Sequence, residues 1–167
     1  MRALILILAG AMAIAIAGPA AAQSATKVGQ YNAWGTYSYQ ADSGKVCYVL
    51  SVPVEKQPPT LDHGDIFFFV SQKPGQNVAF EPQFIASYPF KENSKVAVKV
   101  GDKSFSLFTK GKSAWLENAA EEPQLVAAMK SGSAMSVAAT SLRGNPTSYS
   151  FSLRGISAAL DSISACK

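Results

Sequence analysis

Residues 95–109, KVAVKVGDKSFSLFT, contain two alternating segments separated by a Gly-Asp pair. Lys95 to Val100 alternates charged or small side chains with valine, and Lys103 to Thr109 alternates again after Gly101-Asp102. A period of two places every second side chain on the same side of an extended chain. The stretch therefore predicts a β-hairpin with one buried face.

Further strand-like segments lie on both sides of this hairpin, and Gly, Pro, Asn and Asp residues separate them. They span residues 33–39, 45–54, 66–70, 78–88, 114–116, 134–142 and 147–153. The segment 66–70, IFFFV, is continuously apolar, which is typical of a strand covered on both faces. Residues 57–60, with two consecutive prolines, are predicted to be a loop.

Two segments have helical spacing instead. Residues 121–131 begin with Glu121-Glu122-Pro123, which suits the start of a helix, and residues 155–165 place their apolar side chains on one face. Strands and helices do not alternate regularly, so a parallel sheet is not expected. The predicted fold is mainly β, an antiparallel β-sandwich or barrel-like domain with two short helices at about 121–131 and 155–165.

The first 22 residues have the composition of a secretory signal peptide. Arg2 precedes an apolar run from Ala3 to Ala17, and the small residues Ala20–Ala22 lie before Gln23. A membrane anchor is the alternative, but no basic cluster follows the run. We expect residues 1–22 to be cleaved, leaving a single β-rich domain over 23–167. It would be periplasmic or secreted, with no stable membrane insertion.

Cleavage before Gln23 would leave 14 basic and 11 acidic residues, a formal charge of +3. The basic residues are scattered among acidic and apolar ones. They do not form a basic stripe interleaved with aromatic residues, so nucleic-acid binding is not predicted.

The chain has two cysteines, Cys47 and Cys166. In an oxidising compartment two cysteines permit one intramolecular disulfide bond. Two buried free thiols and an intermolecular bond are the alternatives. We favour the intramolecular bond, because a cysteine so near the end of the chain would pin that end to an early strand. No Cys-x-x-Cys motif occurs, so a redox activity is not expected.

The chain contains a single histidine, His63, within the sequence LDHGD. A hydrolase could couple His63 to Asp62 or Asp65, but the neighbouring turn residues favour a solvated loop histidine. A zinc site would need more nitrogen or sulfur ligands than remain once the cysteines pair. No nucleophile-elbow, phosphate-loop or dinucleotide motif occurs. We therefore predict no enzyme activity and no catalytic, metal-binding or cofactor-binding residues.

The aromatic residues of the chain are numerous, and core packing is the expectation for most of them. Trp34 and Trp115 are the two that we predict as candidate contacts with a partner.

Several short motifs occur in a characteristic order. They are Trp34, Cys47-Tyr48, and the segments 51–53, 67–71, 88–92, 114–116, 119–122, 141–144 and 149–153 before the final cysteine. In this order the chain resembles the invasion-associated locus B family of exported bacterial proteins, in a short two-cysteine form.

That resemblance implies a β-sandwich-like fold, a periplasmic or surface location and a non-enzymatic role. Some family members are associated with host-cell invasion, so an envelope or host protein is the implied kind of partner. The family supplies no catalytic residues to transfer to this chain. A structural or stress-related periplasmic role is the alternative.

Overall fold

The structure, a computed structural model, describes residues 24–76 and 78–166. Over these residues the chain forms eleven β-strands and two α-helices. In chain order they are β1 (Thr26–Tyr31), β2 (Trp34–Ala41), β3 (Gly44–Ser51), β4 (Glu55–Gln57), β5 (Ile66–Lys73), β6 (Val78–Ala86), β7 (Lys95–Val100), β8 (Lys103–Lys110), β9 (Ser113–Leu116), α1 (Glu122–Ser131), β10 (Ala134–Thr140), β11 (Pro146–Ser152) and α2 (Ile156–Ile163). The predicted signal peptide, residues 1–22, lies outside the described residues.

All strand pairings are antiparallel, and the strands form one sheet in the order β1-β2-β3-β5-β6-β9-β8-β7-β10-β11-β4. The predicted hairpin is confirmed: β7 and β8 pair from Lys95 opposite Phe108 to Val100 opposite Lys103. Gly101 has a φ of 56° in the turn, a conformation that glycine adopts without steric cost. The predicted mainly β, antiparallel fold class is therefore confirmed.

The sheet curls so that strands distant in its order face each other. The indole Nε1 of Trp34 in β2 donates a hydrogen bond to the carbonyl of Ser152 in β11, at 3.0 Å. The rings of Phe68 in β5 and Phe151 in β11 meet at 5.9 Å between centroids. These contacts enclose an apolar core between the two halves of the sheet, as in a β-sandwich.

The two helices close this core. Leu125 and Met129 of α1, and Leu160 of α2, are buried in it. Lys130 of α1 forms an ion pair with Asp161 of α2, at 2.9 Å. The predicted helices at 121–131 and 155–165 correspond to α1 and α2. In the part of the chain that the structure describes, no helix has the length and apolar character needed to cross a membrane.

The disulfide bond between Cys47 in β3 and Cys166 is present, with the two Cα atoms 6.0 Å apart. It joins residues 119 positions apart and holds the segment after α2 against the inner face of the sheet. The intramolecular pairing predicted from the sequence is therefore confirmed.

Two strands were not predicted. β1 contains Gly29 and a shift of register between Lys27 and Gly29, which interrupt its alternation. β4 is only three residues long and polar, and it overlaps the predicted loop at 57–60. It is extended because Gln57, Lys56 and Glu55 pair with β11, a long-range contact.

Candidate contact surface and loop cavity

An aromatic surface covers part of the outer face of the sheet. Residues directly opposite each other on paired strands point to the same side. Tyr37 lies opposite Tyr48, Leu50 opposite Phe69, and Trp115 opposite Phe108. We call this set the aromatic face; it comprises Tyr37, Tyr39, Tyr48, Leu50, Phe67, Phe69, Ile85, Phe108 and Trp115, on β2, β3, β5, β6, β8 and β9.

The rings of the aromatic face form two clusters, one on β2, β3 and β5 and one on β8 and β9, and Gln83 of β6 lies between them, opposite both Phe69 and Trp115. Tyr48 stacks on Tyr37 at 5.2 Å between centroids and lies 5.5 Å from Phe69. Phe108 stacks on Trp115 at 5.7 Å. Partial burial, together with the neighbouring Tyr37 and Tyr39, raises the pKa of the Tyr48 phenol, so its hydroxyl stays protonated at neutral pH.

These side chains remain partly exposed. Phe108 keeps 42% of its surface accessible, and the other members are half-buried. In β5, Ile66, Phe68 and Val70 are buried in the core, whereas Phe67 and Phe69 lie on the outer face. The prediction that segment 66–70 is covered on both faces is therefore wrong for the residues described, since both helices pack against the inner side.

The rest of the outer face is different in character. On β7, β8, β10 and β11 the outward side chains are mainly small, comprising Ala97, Ser104, Ser106, Ser136, Ala138, Ser148 and Ser150. Ala138 lies opposite Ala97 and Ser148. Lys99 lies between Ser104 and Ser136, so long charged side chains also occur on this half. Large aromatic side chains are thus confined to one half of the outer face.

The two tryptophans predicted as candidate contacts occupy different environments. Trp34 is fully buried and its Nε1 donates to Ser152, so the structure corrects the expectation that Trp34 contacts a partner. Its position in β2 is offset by an odd number of residues from Tyr37 and Tyr39, which places it on the inner side. Trp115 is half-buried and belongs to the aromatic face.

A cavity of about 540 Å³ opens at one end of the sheet. Three segments form its walls: residues 61–63 before β5, residues 87–89 after β6, and residues 141–147, which comprise the loop after β10 and the start of β11. The amide of Leu142 donates to the carbonyl of Pro89 at 2.8 Å, and the amide of Asp65 donates to Ser87 Oγ at 2.8 Å. The walls are therefore tied together by hydrogen bonds.

His63 lies at the base of this cavity in a chain of buried polar groups. Its Nδ1 is 2.9 Å from the hydroxyl of Tyr149, which is 2.7 Å from the hydroxyl of Tyr88. Tyr88 is in turn 2.7 Å from Thr147 Oγ1, which donates to the carbonyl of Ala139. Burial, and the hydrogen bond with Tyr88, raise the pKa of Tyr149 far above its ordinary value of about 10.

The expectation of a solvated loop histidine is wrong, because His63 is only 6% exposed. Its Nε2 lies 2.9 Å from the carbonyl of Pro58, which can only accept, so Nε2 carries a proton. Asp62 accepts from the amide of Gly64, and neither Asp62 nor Asp65 bonds to the imidazole. Both ring nitrogens are engaged by the fold, and the geometry does not form the hydrolase pair considered from the sequence.

Over residues 24–76 and 78–166, no group of three or more His, Cys, Asp or Glu side chains is arranged to hold a metal ion. The cysteines are both in the disulfide bond.

The fold and its motifs match known proteins. The family model described as Invasion associated locus B (IalB) protein matches residues 34–164. The crystal structure of invasion associated protein b from Bartonella henselae is similar to this structure, with a TM-score of 0.57 and 15% sequence identity. The similarity covers 81% of this chain and 94% of the Bartonella chain, and it shows a shared fold. No curated protein sequence matches the chain.

Proposed function

Because this chain belongs to the invasion-associated locus B family, we propose that it is a non-enzymatic exported protein that binds another protein through its aromatic face. The partner is a protein of the bacterial envelope or of a host cell. Export to the periplasm or beyond is supported by the family and by the disulfide bond, which persists in oxidising compartments.

The observation that carries this proposal is the outer side of β5. Phe67 and Phe69 place large apolar side chains on the outside of a strand whose inner side is already in the core. These half-buried side chains keep part of their apolar surface in water and so forgo part of the benefit of burial, which is about 25 cal/mol for each Å² removed from water. A partner that covers them recovers this free energy, and contiguous exposed apolar patches commonly mark interaction sites.

The composition of the aromatic face favours a protein as the partner. Tyrosine, tryptophan and phenylalanine are enriched at the centres of protein interfaces, where charged residues are depleted. Charged groups lie instead at the border: Lys95, next to Phe108, forms an ion pair with Glu117, and Lys73 pairs with Glu81 at 2.6 Å. Gln83 adds one polar side chain between the two ring clusters. Aromatic side chains surrounded by a polar rim are usual in a protein-binding site.

The proposal is tested by site-specific photo-crosslinking, with the purified protein added to preparations of the bacterial envelope and of host membranes. Phe108, at the exposed end of the aromatic face, is replaced by p-benzoylphenylalanine. Ser148, exposed on the half of the outer face with small side chains, receives the same group as the matched control. We expect a discrete protein adduct at position 108 that excess purified wild-type protein suppresses. Equal adduct patterns at 108 and 148, in envelope and in host-membrane preparations, would contradict the proposal.

A further inference from the structure

The geometry points to the loop cavity as a binding site for a small zwitterion, an amino acid or short peptide with a free ammonium and a free carboxylate. This site is separate from the aromatic face. It lies at the end of the sheet, among the segments 61–63, 87–89 and 141–147. Its volume of about 540 Å³ falls within the range typical of small-molecule sites.

The base of the cavity offers hydrogen-bond acceptors. When His63 is neutral, Tyr149 donates to its Nδ1 and Tyr88 donates to Tyr149, while the Thr147 hydroxyl donates to Tyr88 or to the carbonyl of Ala139. When His63 is protonated, every hydroxyl reverses and Thr147 donates to Ala139. In both states each proton of the chain is used within the protein. In these arrangements Tyr88 and Thr147, which line the cavity, have lone pairs that accept from a ligand.

Asp62 adds a carboxylate to this acceptor side. One of its oxygens accepts from the amide of Gly64 at 2.9 Å, and its second oxygen has no bond to any residue the structure describes. Ser87 contributes no donor here, because its hydroxyl donates to the carbonyl of Asp65. A ligand group that donates hydrogen bonds, and above all an ammonium, complements the acceptors of Asp62, Tyr88 and Thr147.

The wall formed by the loop between β10 and β11 carries donors. Arg143 lies at the tip of the loop between β10 and β11, and its guanidinium forms no ion pair with any described residue. The side-chain amide of Asn145 lines the same wall. A guanidinium binds carboxylates through two parallel hydrogen bonds. Acid and base thus face one cavity without pairing with each other, and a ligand bearing both opposite charges complements them.

Leu61, Leu142 and Pro89 supply apolar surface between the two sides. Since the walls are already tied to each other by hydrogen bonds, binding needs little ordering of the loops. An apolar side chain on the zwitterion therefore fits the space between its charged ends.

The test measures binding to the full-length purified protein by titration calorimetry, with leucyl-leucine as the probe. Its N-acetylated and C-amidated forms each remove one charge. We expect saturable binding of the free dipeptide, weakened about tenfold or more by either modification, because a charge-assisted hydrogen bond is lost. No saturable binding at millimolar dipeptide, or equal binding of all three forms, would overturn the inference.

Two variants test whether Asp62 binds the ammonium of the ligand and Arg143 binds its carboxylate. Asp62→Asn keeps the oxygen that accepts from Gly64 and removes the negative charge; it should bind the free and acetylated forms equally. Arg143→Gln should bind the free and amidated forms equally. Asp102→Asn and Arg154→Gln make the same charge changes at exposed positions away from the cavity and should behave as wild type. If Asp62→Asn and Arg143→Gln retain the wild-type preferences, the assignment is wrong.

Discussion

Tyr149→Phe removes one oxygen from the buried network and leaves the ring in place. That ring is fully buried and lies 5.6 Å from Phe84 between centroids. The lost hydroxyl is 2.9 Å from His63 Nδ1 and 2.7 Å from the hydroxyl of Tyr88. A buried polar group left without a partner costs about 1–3 kcal/mol. We expect the free energy of unfolding to fall by about 2 kcal/mol, which lowers the melting temperature by roughly 4–8 °C.

The measurement is urea unfolding of the disulfide-bonded protein, followed by tryptophan fluorescence. Tyr37→Phe is the matched control, because the Tyr37 hydroxyl lies on the outer face and bonds to no described residue. Its effect should stay within about 0.5 kcal/mol. The reasoning is refuted if Tyr149→Phe costs no more than Tyr37→Phe.

A double-mutant cycle that combines Tyr149→Phe with Thr147→Val tests whether the hydroxyls of Tyr149 and Thr147 stabilise the fold as one network. Thr147 and Tyr149 both bond to Tyr88, so their removal should be non-additive by about 0.5 kcal/mol or more. Additive costs would show that the two hydroxyls stabilise the fold independently.

Three other outcomes follow from the same contacts. Replacing both Cys47 and Cys166 by serine should lower the free energy of unfolding by about 2–5 kcal/mol, since the bond closes a long loop; chemical denaturation measures this, and an unchanged midpoint would contradict it. Because folding raises the pKa of Tyr149, the protonated phenol stabilises the folded state fully below about pH 10. Above that pH the free energy of unfolding declines, by up to about 1.4 kcal/mol per pH unit. Urea unfolding at alkaline pH should show a shallower decline for Tyr149→Phe than for wild type, and parallel curves would argue against this. Phe108→Ser should change the melting temperature by no more than a few degrees, because Phe108 is 42% exposed; a much larger decrease would mean that the residue is structural.

The strands whose signals are local were predictable from the sequence. Alternation in 95–109 predicted β7 and β8, and the acids, proline and apolar spacing of 121–131 predicted α1. The pairing of Cys47 with Cys166 followed from there being two cysteines in a chain expected to be exported. In each instance the signal lay within the segment itself or in a count of residues.

The features that the sequence did not predict depend on distant contacts. His63 is buried because Tyr149, 86 positions away, and the Pro58 carbonyl bond to its ring. β4 is a strand because β11 pairs with it. Alternation shows that two faces differ, but it does not show which face the fold leaves uncovered. Phe67 and Phe69 are left partly exposed because both helices pack on the inner side, and the sequence of β5 alone does not show this.

The most direct measurement of the central claim is the affinity of the crosslinked partner, once purified, for wild-type protein and for Phe108→Ser/Trp115→Ser. Ser136→Ala/Ser148→Ala, on β10 and β11, serves as the control on the other half of the outer face, and melting curves verify that all variants fold. If the aromatic face forms the interface, the first variant should bind about 30-fold or more weakly, because it removes two large aromatic contact residues, and the control should bind as wild type. An affinity for the aromatic variant within twofold of wild type would contradict the account.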